Sequence, residues 1–197
     1  GMVGQLAEET EKSKLIRLVK FCEIPVMVIG AASIFTQYVW LMLTTVFFMG
    51  LQSTFFGPLK YSILPQHVAP NELTKANGLV ESATFVAILI GTIFGTYYIT
   101  QTTGPTIISI AVLILAVLGF FSSRFIPISQ ANNPNLHFTY NIFSSTKNVF
   151  KALNAQTESV GKSVLGISWF WLIGAVILTA LPNYVKHVMG GDALAVT

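Results

Sequence analysis

Charged residues are spread so unevenly along this chain that the apolar runs between them define its elements. Glu23 and Lys60 enclose 36 residues with no formal charge, Glu81 and Arg124 enclose 42, and Lys162 and Lys186 enclose 23. A helix that crosses a bilayer needs about 20 mostly apolar residues. The first two intervals therefore hold two crossings each and the third holds one. Polar breaks divide the double intervals: Thr36-Gln37-Tyr38 in the first, Gln101-Thr102-Thr103-Gly104-Pro105 in the second, the latter with Gly and Pro as turn punctuation. The pattern predicts five spanning helices, over residues 15–35, 39–64, 73–99, 105–121 and 164–184. The runs are continuous and not alternating, which selects helices over the strands of a barrel. The expected fold class is an all-α membrane protein with five transmembrane helices.

Between the fourth and fifth spans the pattern changes. Asn132-Asn133-Pro134-Asn135 marks a loop. From Leu136 to Leu153 the apolar residues Leu136, Phe138, Ile142, Phe143, Val149, Phe150 and Leu153 are interleaved with Asn, Ser and Lys. That pattern fits a linker with one surface helix lying in the membrane interface, Lys147 and Lys151 toward the headgroups. Within the third span Ala87, Gly91 and Gly95 recur every four residues, a small-residue stripe that predicts close helix packing.

Composition narrows the class further. The chain has 197 residues, 53% hydrophobic and 10% charged, too few charges to cover a soluble surface. Fifteen Phe residues exclude disorder. A single cysteine, Cys22, excludes an internal disulfide framework and a multi-Cys zinc site. The net charge of +3 is sparse, which argues against a nucleic-acid partner. No Walker-type phosphate loop is present, so ATP-driven pumping is not expected, and no cofactor or metal is called for. Lys and Arg set the sidedness. Lys12, Lys14, Arg17, Lys20, Lys60, Lys75, Arg124, Lys147, Lys151 and Lys162 fall on one side of the predicted spans, and Lys186 falls on the other. The basic side, with the amino terminus, the Lys60 to Lys75 turn and the Arg124 to Lys162 segment, is expected in the cytoplasm. The last span is followed by almost no chain, which suggests a segment of a longer protein.

Three stretches then carry a resemblance. Gly4 to Lys14 resembles the loop between the second and third helices of the major facilitator superfamily, which usually reads Gly-x-Leu-Ala-Asp-Arg; Glu8 stands here for the Asp and Glu9 for the basic residue. Met49-Gly50-Leu51-Gln52-Ser53-Thr54-Phe55-Phe56-Gly57-Pro58-Leu59-Lys60-Tyr61-Ser62-Ile63-Leu64-Pro65, followed by Glu72 to Gly78 and Glu81 to Gly95, is similar to the bacterial lysophospholipid transporters of that superfamily, some of which are fused to an acyl-glycerophosphoethanolamine acyltransferase. Gly166-Ile167-Ser168-Trp169-Phe170-Trp171 with Gly174-Ala175 and Leu181-Pro182 resembles the seventh helix of the same group. The fourth helix carries Thr45-Val46 where many members of the superfamily place an Arg.

The resemblance implies a partial superfamily bundle covering helices three to seven. Residues 1–125 would form part of the amino-terminal half, 126–163 the link between halves, and 164–197 the start of the carboxy-terminal half. It implies a multi-pass carrier in the bacterial inner membrane that moves lysophospholipid, such as lysophosphatidylethanolamine, inward for reacylation. Its partners would be the lysophospholipid, membrane lipids, the remaining helices and an acyltransferase. Gly4, Glu8 and Lys12 would belong to the conformational loop.

Candidate substrate contacts follow from residue chemistry in that setting. Lys60 is a point charge for a phosphate, or an interfacial anchor with Tyr61. Asn77 and Glu81 lie four apart on one helix face, extended by Thr84. Glu81 would pair with Lys60 or Lys75, or accept the ammonium of an ethanolamine headgroup. Gln52 is placed to hydrogen-bond a glycerol hydroxyl or another helix. Lys20 and Glu23 are spaced as a local ion pair, and Trp169 and Trp171 as an interfacial belt. Two other readings stand beside the lipid carrier. One is a superfamily carrier of a soluble metabolite or drug. The other is a membrane acyltransferase, because His187 to Asp192 has the His-x4-Asp spacing and His67 to Glu72 nearly does. Neither is followed by the usual Pro-Glu-Gly element, so the chain is not expected to be an enzyme.

Overall fold

The computed structural model describes residues 2–131 and 142–191. The elements among them are helical: α1 (Met2–Glu9), α2 (Lys12–Thr36), α3 (Val39–Ile63), a short 3-10 turn (Leu64–Gln66), α4 (Leu73–Ile99), α5 (Gly104–Ser123), α6 (Ile142–Asn154) and α7 (Glu158–His187). Five of these, α2, α3, α4, α5 and α7, are long and apolar enough to cross a membrane, and they coincide with the five predicted spans. The last begins at Glu158, earlier than expected, because nothing from Glu158 onward interrupts a helix before Pro182. Helices α1 to α5 form one compact unit; α6 and α7 belong to a second.

Each predicted break has a physical stop. After α2 the chain enters the left-handed region at Gln37, φ 51°, which ends a helix within one residue. Pro105 sits in the first turn of α5, where its missing N–H costs nothing. Before it, a Cβ on Gly104 would stand 1.7 Å from the Tyr98 carbonyl oxygen, so only glycine fits this turn. The Gly4 to Lys14 stretch differs from its expected loop. It is helical through Glu9, breaks at Thr10 and Glu11, and is helical again from Lys12, since Leu, Ala and Glu at positions 6–9 are strong helix formers.

The spans α2, α3 and α5 pack together. Ile16 of α2 and Leu59 of α3, 2% and 1% exposed, form a small core with Leu15, Val19, Phe56, Ile63 and Ile126 around them. Farther along, Gly30 of α2 meets Thr45 of α3, whose Cγ2 would lie 3.0 Å from a Cβ at Gly30. Ser109 of α5 donates to the Ala31 carbonyl at 3.4 Å. Close packing thus occurs at Gly30. At Gly91 and Gly95 of the expected stripe, a Cβ would meet nothing within 4 Å. Most large apolar side chains of the spans face outward, as lipid-facing helices require. Hydroxyls within the spans turn back on their own helix: Thr44, Thr45, Thr54 and Thr92 donate to the carbonyl four residues earlier, which satisfies them without water. Pro25 and Pro58 lie inside α2 and α3.

Residues 125–131 strap one end of this unit. Arg17 donates from Nη2 to the Ile126 carbonyl at 2.9 Å and from Nε to that of Ser123 at 3.4 Å, closing the carbonyl end of α5 with a cation from α2. The Lys12 N–H donates to the Ser129 carbonyl at 3.0 Å. The Ser129 hydroxyl is 2.7 Å from His67 Nε2, and Gln66 donates to the Gln130 carbonyl at 3.1 Å.

Candidate functional site

The end of α3 and the third and fourth turns of α4 bring four polar side chains together. Tyr61 lies next to Lys60 near the carboxyl end of α3, and its hydroxyl donates to Glu81 Oε1 on α4. Lys60 Nζ donates to Thr84 Oγ1 at 3.3 Å and lies 4.8 Å from the centre of the Tyr61 ring. Thr84 in turn donates to the Val80 carbonyl at 2.7 Å. Glu81 and Thr84 are three apart, so one face of α4 presents a carboxylate and a hydroxyl to the α3 pair. The second carboxylate oxygen of Glu81, Oε2, is buried and has no hydrogen-bond partner among the described residues.

This arrangement differs from the expected ion pair. Among the described residues Glu81 lies within salt-bridge distance of neither Lys60 nor Lys75; ion pairs there include Lys14–Glu11, Lys20–Glu23 and Lys162–Glu158. Tyr61 occupies the position next to the carboxylate, and the lysine reaches past it to Thr84. An ammonium carries three donors, and Lys60 spends one on Thr84. The group therefore offers a cation with spare donors and a carboxylate with a spare acceptor, a few side chains apart. Asn77 sits one turn earlier on α4, half-buried, outside the hydrogen-bonded group.

Gln52 belongs to a different cluster. Its amide donates to Glu23 Oε2 at 2.7 Å, and the same oxygen receives Lys20 Nζ at 2.8 Å. Lys20 also lies 4.7 Å from the centre of the Phe56 ring and passes close to Gly119 of α5. The local Lys20–Glu23 pair was legible in the spacing. Its extension to Gln52 required the register of α2 against α3, which no local pattern carries.

The residues expected in the conformational loop, Gly4, Glu8 and Lys12, lie at the strapped end. Gly4 and Glu8 are in α1, and Lys12 opens α2 with 0% exposure. Beside them Glu11 accepts Ser13 Oγ at 2.6 Å and Lys14 Nζ at 2.7 Å. The Lys14 hydrogen bond, then that from Ser13, holds the Glu11 carboxyl below the usual carboxylate range. His187 is the last residue of α7, and Asp192, its partner in the acyltransferase spacing, lies outside the described residues. Trp169, Phe170 and Trp171 are exposed near the middle of α7.

A family model for the Major Facilitator Superfamily matches residues 22–197. The lysophospholipid transporter LplT of Escherichia fergusonii is 27% identical over 194 residues, covering 95% of this chain and 45% of that protein. The protein of the same name from Enterobacter sp. is 28% identical over 196 residues, and that from Escherichia coli O7:K1 is 28% identical over 192, with the same coverage. The chain spans slightly less than half the length of these relatives. No solved structure matches it.

Proposed function

This chain belongs to the Major Facilitator Superfamily, and from that premise we propose that it forms part of a carrier moving lysophospholipid across the bacterial inner membrane for reacylation. In this reading residues 1–125 supply helices three to six, residues 126–163 the link between halves, and residues 164–197 the start of helix seven. The remaining helices complete the cavity, and an acyltransferase receives the cargo. The basic rim faces the cytoplasm.

One observation carries the substrate assignment: Glu81 keeps a buried carboxylate oxygen without a donor beside a lysine tied to the same helix. A buried acceptor left unpaired is costly, and a ligand donor would relieve it. The lysophosphatidylethanolamine headgroup has the matching chemistry, a phosphate for Lys60 and an ammonium for Glu81. Tyr61 fixes the carboxylate and Thr84 fixes the lysine. Headgroup shielding is then local to α3 and α4, while the single acyl chain stays in lipid. Alternating access by rocking of the two halves would carry the headgroup across. The similarity to lysophospholipid transporters supports a lysophospholipid cargo.

The test is uptake of labelled lysolipids by the full-length carrier in spheroplasts. Lys60→Ala should lower uptake of lysophosphatidylethanolamine and lysophosphatidylglycerol alike, because both carry the phosphate. Glu81→Gln should lower the ethanolamine substrate and spare the glycerol one. Equal loss of both substrates in Glu81→Gln would refute the ammonium contact. Undiminished uptake in Lys60→Ala would refute the site.

A further inference from the structure

Helix α6 (Ile142–Asn154) has 13 residues, about 20 Å at 1.5 Å per residue, too short to cross a hydrocarbon core. It is more amphipathic than any of the five spanning helices. Val149, Phe150 and Leu153 fall on one face at spacings of one, three and four residues. Lys147 and Lys151, one turn apart, fall on the opposite side. Val149 and Phe150 are 50% and 62% exposed, so this face is not used up within its own unit. No acidic residue occurs between Arg124 and Glu158, which leaves the cations of α6 without a counter-charge in sequence. Three residues after α6 the chain enters α7, an apolar helix long enough to span. That connection holds α6 near a membrane surface whatever else it does.

We infer that α6 is a lipid-surface docking element selective for anionic headgroups. Its apolar face enters the boundary between headgroups and acyl chains, and Lys147 and Lys151 meet lipid phosphates. The apolar face supplies the depth and the lysines supply the preference for negative charge. Neutralising both cations should reduce the ratio of inserted to free helix about 25-fold, following the worth of a lysine near an anionic surface. The inference is independent of the headgroup site on α3 and α4.

The experiment uses the full-length carrier with Cys22→Ser and Thr146→Cys, the new thiol carrying an environment-sensitive NBD fluorophore. Thr146 lies on the apolar side one turn before Phe150, so the apolar anchors stay intact. The protein is reconstituted in vesicles of phosphatidylcholine alone or with phosphatidylglycerol. We expect blue-shifted emission with phosphatidylglycerol, reversed by high salt. Lys147→Glu with Lys151→Glu should abolish the shift, and Phe150→Asp should abolish it in every vesicle. Emission that ignores lipid charge and both lysines would place α6 against protein and overturn the inference. Emission that is water-like in all vesicles would overturn it as well.

Discussion

Gln52 on α3 and Glu23 on α2 are joined by a 2.7 Å hydrogen bond, and it ends on the same carboxylate oxygen that Lys20 reaches at 2.8 Å. Two helices are thus tied through one atom in the interior of predicted spans. Ion pairs inside a membrane are rare and need every charge compensated. Here the lysine, the carboxylate and the amide compensate one another without solvent.

The network gives an ordering of variants. Gln52→Leu removes one interhelical hydrogen bond, a loss of about 1 kcal/mol. Glu23→Ala leaves the half-buried Lys20 without its partner, and hydrogen bonds to charged groups are worth about 1.5–3 kcal/mol. Unfolding of the purified protein in mixed micelles should show the second variant less stable than the first. Equal losses would mean that Lys20 finds other compensation.

The contact of Gly30 with Thr45 predicts a coupled pair. Gly30→Val should cost about 1–3 kcal/mol through overpacking. Gly30→Ala presses on Thr45 Cγ2 at 3.0 Å, and Thr45→Ser removes that methyl while keeping the hydroxyl bond to Leu41. Thermal melts of both single variants and the double variant should show the serine rescuing the alanine. Additive losses would place the close approach elsewhere.

Gly104 should be the least replaceable glycine of the spans. Gly104→Ala drives a methyl into the Tyr98 carbonyl oxygen, and the turn between α4 and α5 must open. Gly91→Ala in this chain meets nothing and gains up to about 1 kcal/mol of helix propensity. Folded yield and melting temperature should fall sharply in the first and hold or rise in the second.

Tyr61 donates to a carboxylate that already has one oxygen unpaired. Tyr61→Phe leaves Glu81 with no donor among the described residues, and hydrogen bonds to charged groups are worth about 1.5–3 kcal/mol. Uptake of lysophosphatidylethanolamine by the full-length carrier should drop by about tenfold or more. A phenylalanine variant with normal uptake would show that the hydroxyl does not hold the carboxylate in place.

Glu11 gives a pH dependence of known sign. Its folded-state pKa is depressed, chiefly by the Lys14 hydrogen bond and next by that from Ser13. The stability it contributes is complete above the unfolded carboxylate pKa and is lost as pH falls through the lowered folded value. Melting between about pH 6 and about pH 3, a window bracketing ordinary carboxylates, should slope less steeply in Glu11→Gln. Parallel slopes would show that the pair does not persist in solution.

The spans were legible because their signal is one-dimensional: a charge or a polar break starts and stops each of them. The same holds for the Lys20–Glu23 pair, set by helical spacing. Partners on separate helices were less legible. Glu81 was expected to meet a lysine and instead takes the Tyr61 hydroxyl, because the rotation of α3 against α4, not the order of charges, decides which side chain arrives first. Gln52 stands out in the sequence as a polar residue in an apolar run, yet its partner on α2 depends on how two rods slide past each other. The glycine stripe on α4 showed the opposite limit. Spacing marks a face that permits close approach, and only the fold says whether a neighbour comes.

Pro25 and Pro58 lack the amide hydrogen that would close on the carbonyls of Phe21 and Thr54. Arg17, Lys12 and His67 meanwhile clamp the rim of the same two helices to residues 125–131. Flexure in α2 and α3 is therefore cheapest at the two prolines and dearest at the clamp. The pair behaves as levers pinned at one edge, with their soft joints written into the chain by two imino acids.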